Sequence, residues 1–178
     1  MILIQLHDKI FEPFITANEI SQRITQMANT IAEEMKEETP VFVGVLNGAF
    51  VFLSDLARKY PSNCEVEFVK LASYEGTAST GKVQQLIGLN KDLSQKTVVI
   101  VEDIVDTGKT MEVLRKIFSQ KKPKKLLTAT LFLKPEVYQN QIPLDYVAFE
   151  IPDKFIVGYG LDYDGLGRNL PEVYQLKS

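Results

Sequence analysis

The sequence predicts a single α/β domain in which a central, mainly parallel sheet is flanked by helices. Residues 98–101 are four consecutive β-branched apolar residues, a pattern typical of a parallel strand buried on both faces. Val41–Leu46 is a second apolar run. Each run leads through a short glycine-containing segment into apolar residues at helical spacing, and this alternation favours a parallel sheet. A chain of 178 residues is long enough for one such domain and too short for two typical ones.

Composition and charge argue against a nucleic-acid or membrane role. The net charge of −3 provides no general attraction to nucleic acid or anionic lipid, and no apolar run approaches the length of a membrane span. Cys64 is the only cysteine, and the first residues lack a basic segment followed by a cleavable apolar core. We therefore expect a protein of the reducing cytoplasm with no membrane or nucleic-acid partner.

The amino-terminal part of the chain is predicted to form an edge strand, a connecting loop and a long helix. Residues 1–14 contain a short apolar run followed by charged residues. Thr16 and Glu19 have the spacing of a capping box, which begins a helix. Apolar residues then recur every three or four positions, which predicts an amphipathic helix that buries Ile20, Ile24, Met27, Ile31 and Met35.

The predicted strand Val41–Leu46 leads into a second helix through the turn Asn47-Gly48-Ala49. Taken alone, this is an ordinary strand-to-helix connection in which Gly48 supplies backbone freedom. In a parallel sheet, however, such a turn lies at the carboxyl edge of the strands, where ligands bind.

The remaining segments are predicted from short apolar runs. Residues 64–71 and 83–89 are predicted strands, and the polar, glycine-containing segment between them has the composition of a hairpin tip. Residues 126–133 form another predicted strand, which ends at Lys134. The basic run before it is explained by the preference of cations for a helix carboxyl end, and not by nucleic-acid binding. The last strand-like runs are residues 146–150 and 155–159.

The central motif of the chain follows the buried run at residues 98–101 and reads Glu102-Asp103-Ile104-Val105-Asp106-Thr107-Gly108-Lys109-Thr110. Its second half opens a predicted helix, so backbone N–H groups, the helix dipole and two hydroxyls are available to hold a phosphate. Glu102 and Asp103 would repel a phosphate but suit sugar hydroxyls, either directly or through hydrated Mg²⁺. The motif therefore indicates a phosphorylated sugar.

The motif also resembles two common features that bind no sugar phosphate of this kind. The sequence Gly108-Lys109-Thr110 imitates the end of a nucleotide-triphosphatase P-loop, but that loop requires glycine at the position that Asp103 occupies here. Two acids after a strand also occur as a helix cap beside a solvated turn. The sequence alone leaves this second alternative open.

The central motif resembles the phosphoribosyl-diphosphate motif of type I phosphoribosyltransferases, most closely of the members that act on hypoxanthine. Further matches, in the same order and at similar separations, are Leu46-Asn47-Gly48, Ser73-Tyr74, Lys134, the segment 152–159 and Leu161-Asp162. The resemblance implies a sheet core at about residues 36–134 within one domain spanning 1–178. It also implies a small base-binding hood formed by residues 1–15 and 135–178.

The activity implied by the resemblance is purine salvage. The enzyme would transfer the 5-phosphoribosyl group from phosphoribosyl diphosphate to hypoxanthine, and also to guanine, releasing pyrophosphate and a nucleoside monophosphate. Mg²⁺ is the implied cofactor, and a homodimer or homotetramer is the implied assembly. Two alternatives remain open. One is a transferase that prefers xanthine or a pyrimidine, and the other is a regulator that senses phosphoribosyl diphosphate and binds nucleic acid. The sequence contains no basic face or added DNA-binding segment that would support the regulator.

The resemblance also assigns roles to the phosphoribosyl site. Asp106 would be the catalytic base near purine N7, and the 5′-phosphate would be bound by Asp106, Thr107, Gly108, Lys109 and Thr110. Glu102 and Asp103 would align the ribose hydroxyls, directly or through Mg²⁺, and Asp162 would help to hold a second Mg²⁺ near the pyrophosphate. Pyrophosphate would be bound by Leu46, Asn47, Gly48 and Arg168, with a cis peptide between Leu46 and Asn47. Many relatives carry lysine where this chain has Asn47, so this loop supplies less charge.

The base site is likewise implied by the resemblance. Lys134 would donate to the purine 6-oxo group, Phe155 would stack on the base, and Ile156 would offer its backbone carbonyl. Asp162 would complete the purine site. Ser73 and Tyr74 would belong to a lid over the substrate, which excludes water while a reactive sugar cation forms.

Overall fold

The computed structural model describes residues 3–72, 84–87, 91–139 and 142–177. Ser73 and Tyr74 of the predicted lid lie outside these residues. The elements follow one another as β1 (Ile4–Leu6), β2 (Lys9–Ile15), α1 (Ala17–Met35), β3 (Val41–Leu46), α2 (Phe50–Lys59), β4 (Glu65–Ala72), β5 (Gln84–Ile87), β6 (Thr97–Val105), α3 (Lys109–Ser119), β7 (Lys125–Leu133), β8 (Tyr146–Glu150), β9 (Ile156–Val157) and β10 (Val173–Leu176).

The larger sheet confirms the predicted mainly parallel architecture. Within the described ranges its strand order is β5-β4-β3-β6-β7-β8. Strand β3 pairs in parallel with β4 and β6, and β7 pairs in parallel with β6 and β8. Strand β5 is antiparallel to β4 at the edge. The carboxyl ends of β3, β6 and β7 therefore meet at the same edge of the sheet.

Helices cover both faces of this sheet, as the apolar pattern of its strands requires. Phe42 and Val99 belong to the core that includes α1 and α2, whereas Val41 and Val98 belong to the core on the side of α3. Alternate residues of β3 and β6 thus point to opposite faces, and both faces are buried. No helix in the described part of the chain is long and apolar enough to cross a membrane.

Helix α1 begins at the predicted capping box. The Thr16 hydroxyl accepts a hydrogen bond from the Glu19 N–H at 3.3 Å, and the Glu19 carboxylate accepts one from the Thr16 N–H at 2.9 Å. The predicted apolar stripe is buried along its whole length. Helix α1 therefore packs on the larger sheet next to α2, although its residues precede the segment 36–134 that was predicted to form the sheet core.

A second, antiparallel sheet forms the hood in the order β1-β2-β10-β9. The prediction of a connecting loop after an edge strand was wrong, because Lys9–Ile15 is itself a strand, paired with β1 on one side and β10 on the other. From the carboxyl-terminal segment predicted for the hood, β8 instead pairs with β7 in the larger sheet. The last apolar run is strand only at Ile156–Val157, because Gly158 and Tyr159 have positive φ values of 100° and 50°.

Candidate active site

The turn that follows β3 lies in direct contact with a side chain near the carboxyl end of β6. A Cβ atom added to Gly48 would lie 1.7 Å from Oδ2 of Asp103, far closer than any real contact. Only glycine therefore allows the first turn to approach the carboxylate. The peptide bond between Leu46 and Asn47 is cis, as the resemblance implied.

The predicted phosphate turn links β6 to α3. Gly108 caps α3 with a left-handed φ of 82°, and α3 begins at Lys109. The N–H groups of a first helical turn have no acceptor within the helix and favour an anion. A cavity of about 270 Å³ lies here, lined by residues 102–111. A neighbouring cavity of about 400 Å³ joins this turn to Leu46 and Leu71.

Glu102 and Asp103 are buried near the end of β6, with only 7% and 8% of their surfaces exposed. This burial excludes the alternative of a helix cap beside a solvated turn. Oε2 of Glu102 has no hydrogen-bond partner among the described residues, whereas Asp103 Oδ1 accepts from the Ile104 N–H at 3.0 Å. Glu102 lines both cavities, and its buried Oε2 is an acceptor without a partner among the described residues.

Burial raises the pKa of the Glu102 carboxyl well above its usual value, and the neighbouring Asp103 carboxylate adds to the rise. Burial also raises the pKa of Asp103, although the hydrogen bond from Glu102 opposes that rise. Two adjacent buried carboxyls therefore favour holding a proton. Hydroxyl donors or a cation would stabilise their charged forms instead.

These two acids fit Mg²⁺ in its usual mode of binding. No group of three or more His, Cys, Asp or Glu side chains that could hold a metal occurs in residues 3–72, 84–87, 91–139 and 142–177. Mg²⁺ requires no such cage, since it keeps several waters and binds through one or two carboxylates together with substrate oxygens. The unpartnered Glu102 oxygen is a hard acceptor of this kind.

Arg168 and Asp162 form a separate ion pair beside the first turn. Arg168 Nη2 lies 2.6 Å from Asp162 Oδ1, and Nη1 donates to the Gly160 carbonyl at 2.6 Å. Asp162 also accepts from the Gly165 N–H at 2.8 Å. A Cβ on Gly160 would lie 2.2 Å from the Gly48 carbonyl oxygen, so this hood loop packs directly on the turn after β3. The positive charge of Arg168 opposes the rise that burial causes in the pKa of Asp103.

Lys134 lies at the end of β7 and is 8% exposed. Its backbone N–H donates to the Val105 carbonyl at 3.0 Å, which places it beside the end of β6. Its ammonium Nζ lies 2.8 Å from Asp153 Oδ1 and 3.7 Å from Asp106 Oδ2. The structure thus brings Lys134 and Asp106 close together. Sequence reasoning did not single out Asp153, although it lies in the matching segment 152–159.

Phe155 presents an exposed ring on the hood. The exposed fraction of Phe155 is 44%, which sets it apart from a core aromatic residue, whereas only 5% of Ile156 is exposed. Its ring centroid lies 5.7 Å from that of Tyr163, and Lys9 Nζ lies 5.7 Å from the Phe155 centroid. Sequence reasoning named neither Lys9 nor Tyr163, because only the packing of β2 against the hood loops brings them here.

Comparison with known proteins is consistent with this geometry. A family model for the phosphoribosyl transferase domain matches residues 15–164. The chain is 39% identical to a hypoxanthine-guanine phosphoribosyltransferase of Aquifex aeolicus, covering 97% of this chain and 98% of that one. It is 39% identical to a hypoxanthine phosphoribosyltransferase of Escherichia coli, covering 91% and 93%.

Solved structures agree over nearly the whole length. A hypoxanthine-guanine phosphoribosyltransferase from Bacillus anthracis superimposes with a TM-score of 0.88 at 35% identity, covering 96% of this chain and 99% of that one. A hypoxanthine phosphoribosyltransferase from Trypanosoma cruzi, solved as a ternary complex with substrates, gives a TM-score of 0.87 at 35% identity, covering 93% and 94%.

Proposed function

The chain belongs to the phosphoribosyl transferase family as a hypoxanthine/guanine enzyme of purine salvage, and we propose that its phosphoribosyl diphosphate binds between the turns after β3 and β6. The observation that carries this proposal is the contact between Gly48 and the Asp103 carboxylate beside the cavity at the start of α3. That substrate has three chemical parts, and each has a counterpart at this place. The turn after β3 suits the pyrophosphate, the two acids suit the ribose hydroxyls, and the amino terminus of α3 suits the 5′-phosphate.

The 5′-phosphate is held by the turn from Asp106 to Thr110. Backbone N–H groups at the start of α3 supply its donors, aided by the helix dipole and by the threonine hydroxyls. The side chain of Lys109 adds a positive charge. Because most donors belong to the backbone, the phosphate is fixed without rotamer changes, and the ribose is directed toward Glu102 and Asp103.

Glu102 and Asp103 accept hydrogen bonds from the ribose hydroxyls. Their raised pKa values mean that substrate hydroxyls and cations are needed to stabilise both charges. These two acids would also hold a proposed Mg²⁺, and Asp162 would help to hold a second one near the pyrophosphate. When bound, Mg²⁺ neutralises charge that develops on the leaving pyrophosphate.

Leu46, Asn47 and Gly48 bind the pyrophosphate with their backbone, because Asn47 offers no positive charge. Arg168 supplies that charge. Its guanidinium has five N–H donors, and the two contacts with Asp162 and Gly160 leave donors for the pyrophosphate oxygens.

The purine lies against the exposed ring of Phe155, with its 6-oxo group toward Lys134. The backbone carbonyl of Ile156 accepts from exocyclic or ring N–H groups. Asp106 receives the purine proton as the new bond to the ribose forms, a task that requires a carboxylate within hydrogen-bond reach.

Three further proposals concern the whole protein. The chain forms a single domain over residues 1–178, and the predicted lid residues Ser73 and Tyr74 lie outside the residues that the structure describes. A cytoplasmic location accords with the lone Cys64. Self-association as a homodimer or homotetramer accords with the exposed apolar side chains of Phe50, Val66 and Phe68, and light scattering would measure it.

The experiment for Asp106 is the variant Asp106→Asn, which keeps size and hydrogen bonding but removes the proton acceptor. We expect turnover at saturating phosphoribosyl diphosphate and Mg²⁺ to fall by about 100-fold, the usual share of general base catalysis. Initial rates with hypoxanthine, guanine, xanthine, adenine and uracil would define base selectivity in the same assay. Turnover near the wild-type value would remove Asp106 from the role of base.

A further inference from the structure

The ammonium of Lys134 lies between two carboxylates. Its Nζ is 2.8 Å from Asp153 Oδ1, which is a direct charge-assisted hydrogen bond, and 3.7 Å from Asp106 Oδ2, which is a looser ion pair. The side chain of Lys134 is only 10% exposed, whereas those of Asp106 and Asp153 are about half exposed. The cation is therefore enclosed by protein, and both anions face the open site.

Asp153 is held in this position by the backbone around it. The Ile151 N–H donates to the Leu133 carbonyl at 2.8 Å, which anchors the start of its turn at the end of β7. The Lys154 N–H donates to the Pro152 carbonyl at 2.7 Å, which closes the turn around Asp153. This turn connects β8 of the larger sheet to β9 of the hood, so Asp153 joins the two parts of the base site.

Two carboxylates compete for one ammonium. An ammonium has three donors, and the bond to Asp153 occupies one of them. If Asp153 were absent, Asp106 would be the one carboxylate among the described residues that remains within 4 Å of this enclosed cation. Lys134 would then move toward Asp106, and the resulting hydrogen bond would occupy the oxygen needed to accept the purine proton.

We propose that Asp153 is a positioning residue that holds Lys134 toward the purine 6-oxo group and away from Asp106. This inference rests on the proposed roles of Lys134 and Asp106. It assigns to Asp153 a part in recognising 6-oxopurines that acts through Lys134. A merely structural ion pair at a half-exposed carboxylate would instead contribute little, and only to stability.

The test compares Asp153→Asn, Asp153→Glu and the control Glu136→Gln, measuring KM for hypoxanthine, KM for phosphoribosyl diphosphate and kcat. Glu136 is an exposed acid two residues beyond Lys134, so its variant removes the same charge nearby without touching the ammonium. For Asp153→Asn we expect KM for hypoxanthine to rise about tenfold, the usual effect of losing a hydrogen bond to a charged group. KM for phosphoribosyl diphosphate should stay within about twofold of wild type, and Asp153→Glu should restore most of the loss.

The variant Lys134→Gln and the double variant Lys134→Gln/Asp153→Asn separate this inference from the function on which it rests. If Asp153 acts through Lys134, the double variant should have the same KM for hypoxanthine as Lys134→Gln alone. An unchanged KM in Lys134→Gln would remove Lys134 from the base site and overturn both proposals. A raised KM in Lys134→Gln with an unchanged KM in Asp153→Asn would overturn the positioning role alone.

The variants of Asp153 and Glu136 also distinguish loss of folding from loss of positioning. Equal increases in KM for both substrates in Asp153→Asn, without recovery in Asp153→Glu, would indicate general disruption of the hood and overturn the inference. A change in Glu136→Gln as large as that in Asp153→Asn would attribute the effect to local charge, and would likewise overturn it.

Discussion

The variant Gly48→Ala tests the contact on which the proposed substrate site depends. The added Cβ would lie 1.7 Å from Asp103 Oδ2, 2.5 Å from Cγ and 3.0 Å from Oδ1. Restoring an ordinary contact of about 3.5 Å requires the turn or the carboxylate to move by roughly 1.8 Å. Because Asp103 is buried, neither can move freely.

The expected loss of activity follows from that displacement. A misplacement of about 1 Å in an active site can cost about 100-fold, so we expect kcat/KM for phosphoribosyl diphosphate to fall at least that far. Overpacking by one methyl group costs about 1–3 kcal/mol of unfolding free energy, which lowers the melting temperature by roughly 2–10 °C. The assay is initial rates at saturating hypoxanthine, together with thermal unfolding.

Gly44→Ala is the matched control. A Cβ there would meet the flexible end of Leu53 at 2.5 Å, so the variant overpacks strand β3, which leads into the Gly48 turn, without reaching the Asp103 carboxylate. We expect it to lower the melting temperature but to keep KM for phosphoribosyl diphosphate. Activity of Gly48→Ala within about threefold of wild type would refute the argument, because the turn would then tolerate the shift.

Two other predictions concern stability. Hydrogen bonds from Lys124 and, to a smaller extent, from Thr97 lower the pKa of Glu38 to about 2. The stability that Glu38 contributes is therefore present above its unfolded-state pKa and is lost as the pH falls from about 5 toward 2. The melting temperature of Glu38→Gln should fall less over this range than that of wild type, and parallel plots of melting temperature against pH would contradict the assignment. The hydroxyl of Tyr159 donates to the Asp55 carboxylate and joins the hood to α2. Tyr159→Phe should therefore lose about 1 kcal/mol of unfolding free energy, seen as a melting temperature lower by about 2–4 °C, and an unchanged melting temperature would show that the bond contributes nothing.

Much of the core could be predicted from short-range patterns. The capping box at Thr16 and the stripe that follows it located α1, and the buried run at residues 98–101 located β6. The resemblance carried by the motif from Glu102 to Thr110 and its further matches predicted a hypoxanthine/guanine phosphoribosyltransferase, which the comparisons confirmed. These features are encoded by neighbouring residues, so a linear pattern is sufficient to recognise them.

The hood was predicted less completely for a physical reason. Lys9–Ile15 becomes a strand because β1 and β10 provide hydrogen-bond partners on both sides, and β10 comes from the far end of the chain. Its own sequence has proline and charged residues that weaken the strand pattern. Only pairing across the whole chain length decides its conformation.

By itself, the sequence determined the family and its type of chemistry, because the motif from Glu102 to Thr110 that carries the resemblance consists of consecutive residues. Tertiary structure alone decided which groups from different segments meet. Gly48 touches Asp103 because β3 and β6 are neighbours in a parallel sheet, and Lys134 reaches Asp153 because the turn after β8 folds back on β7. Such contacts depend on strand order and register, which are properties of the folded sheet and have no counterpart in local sequence.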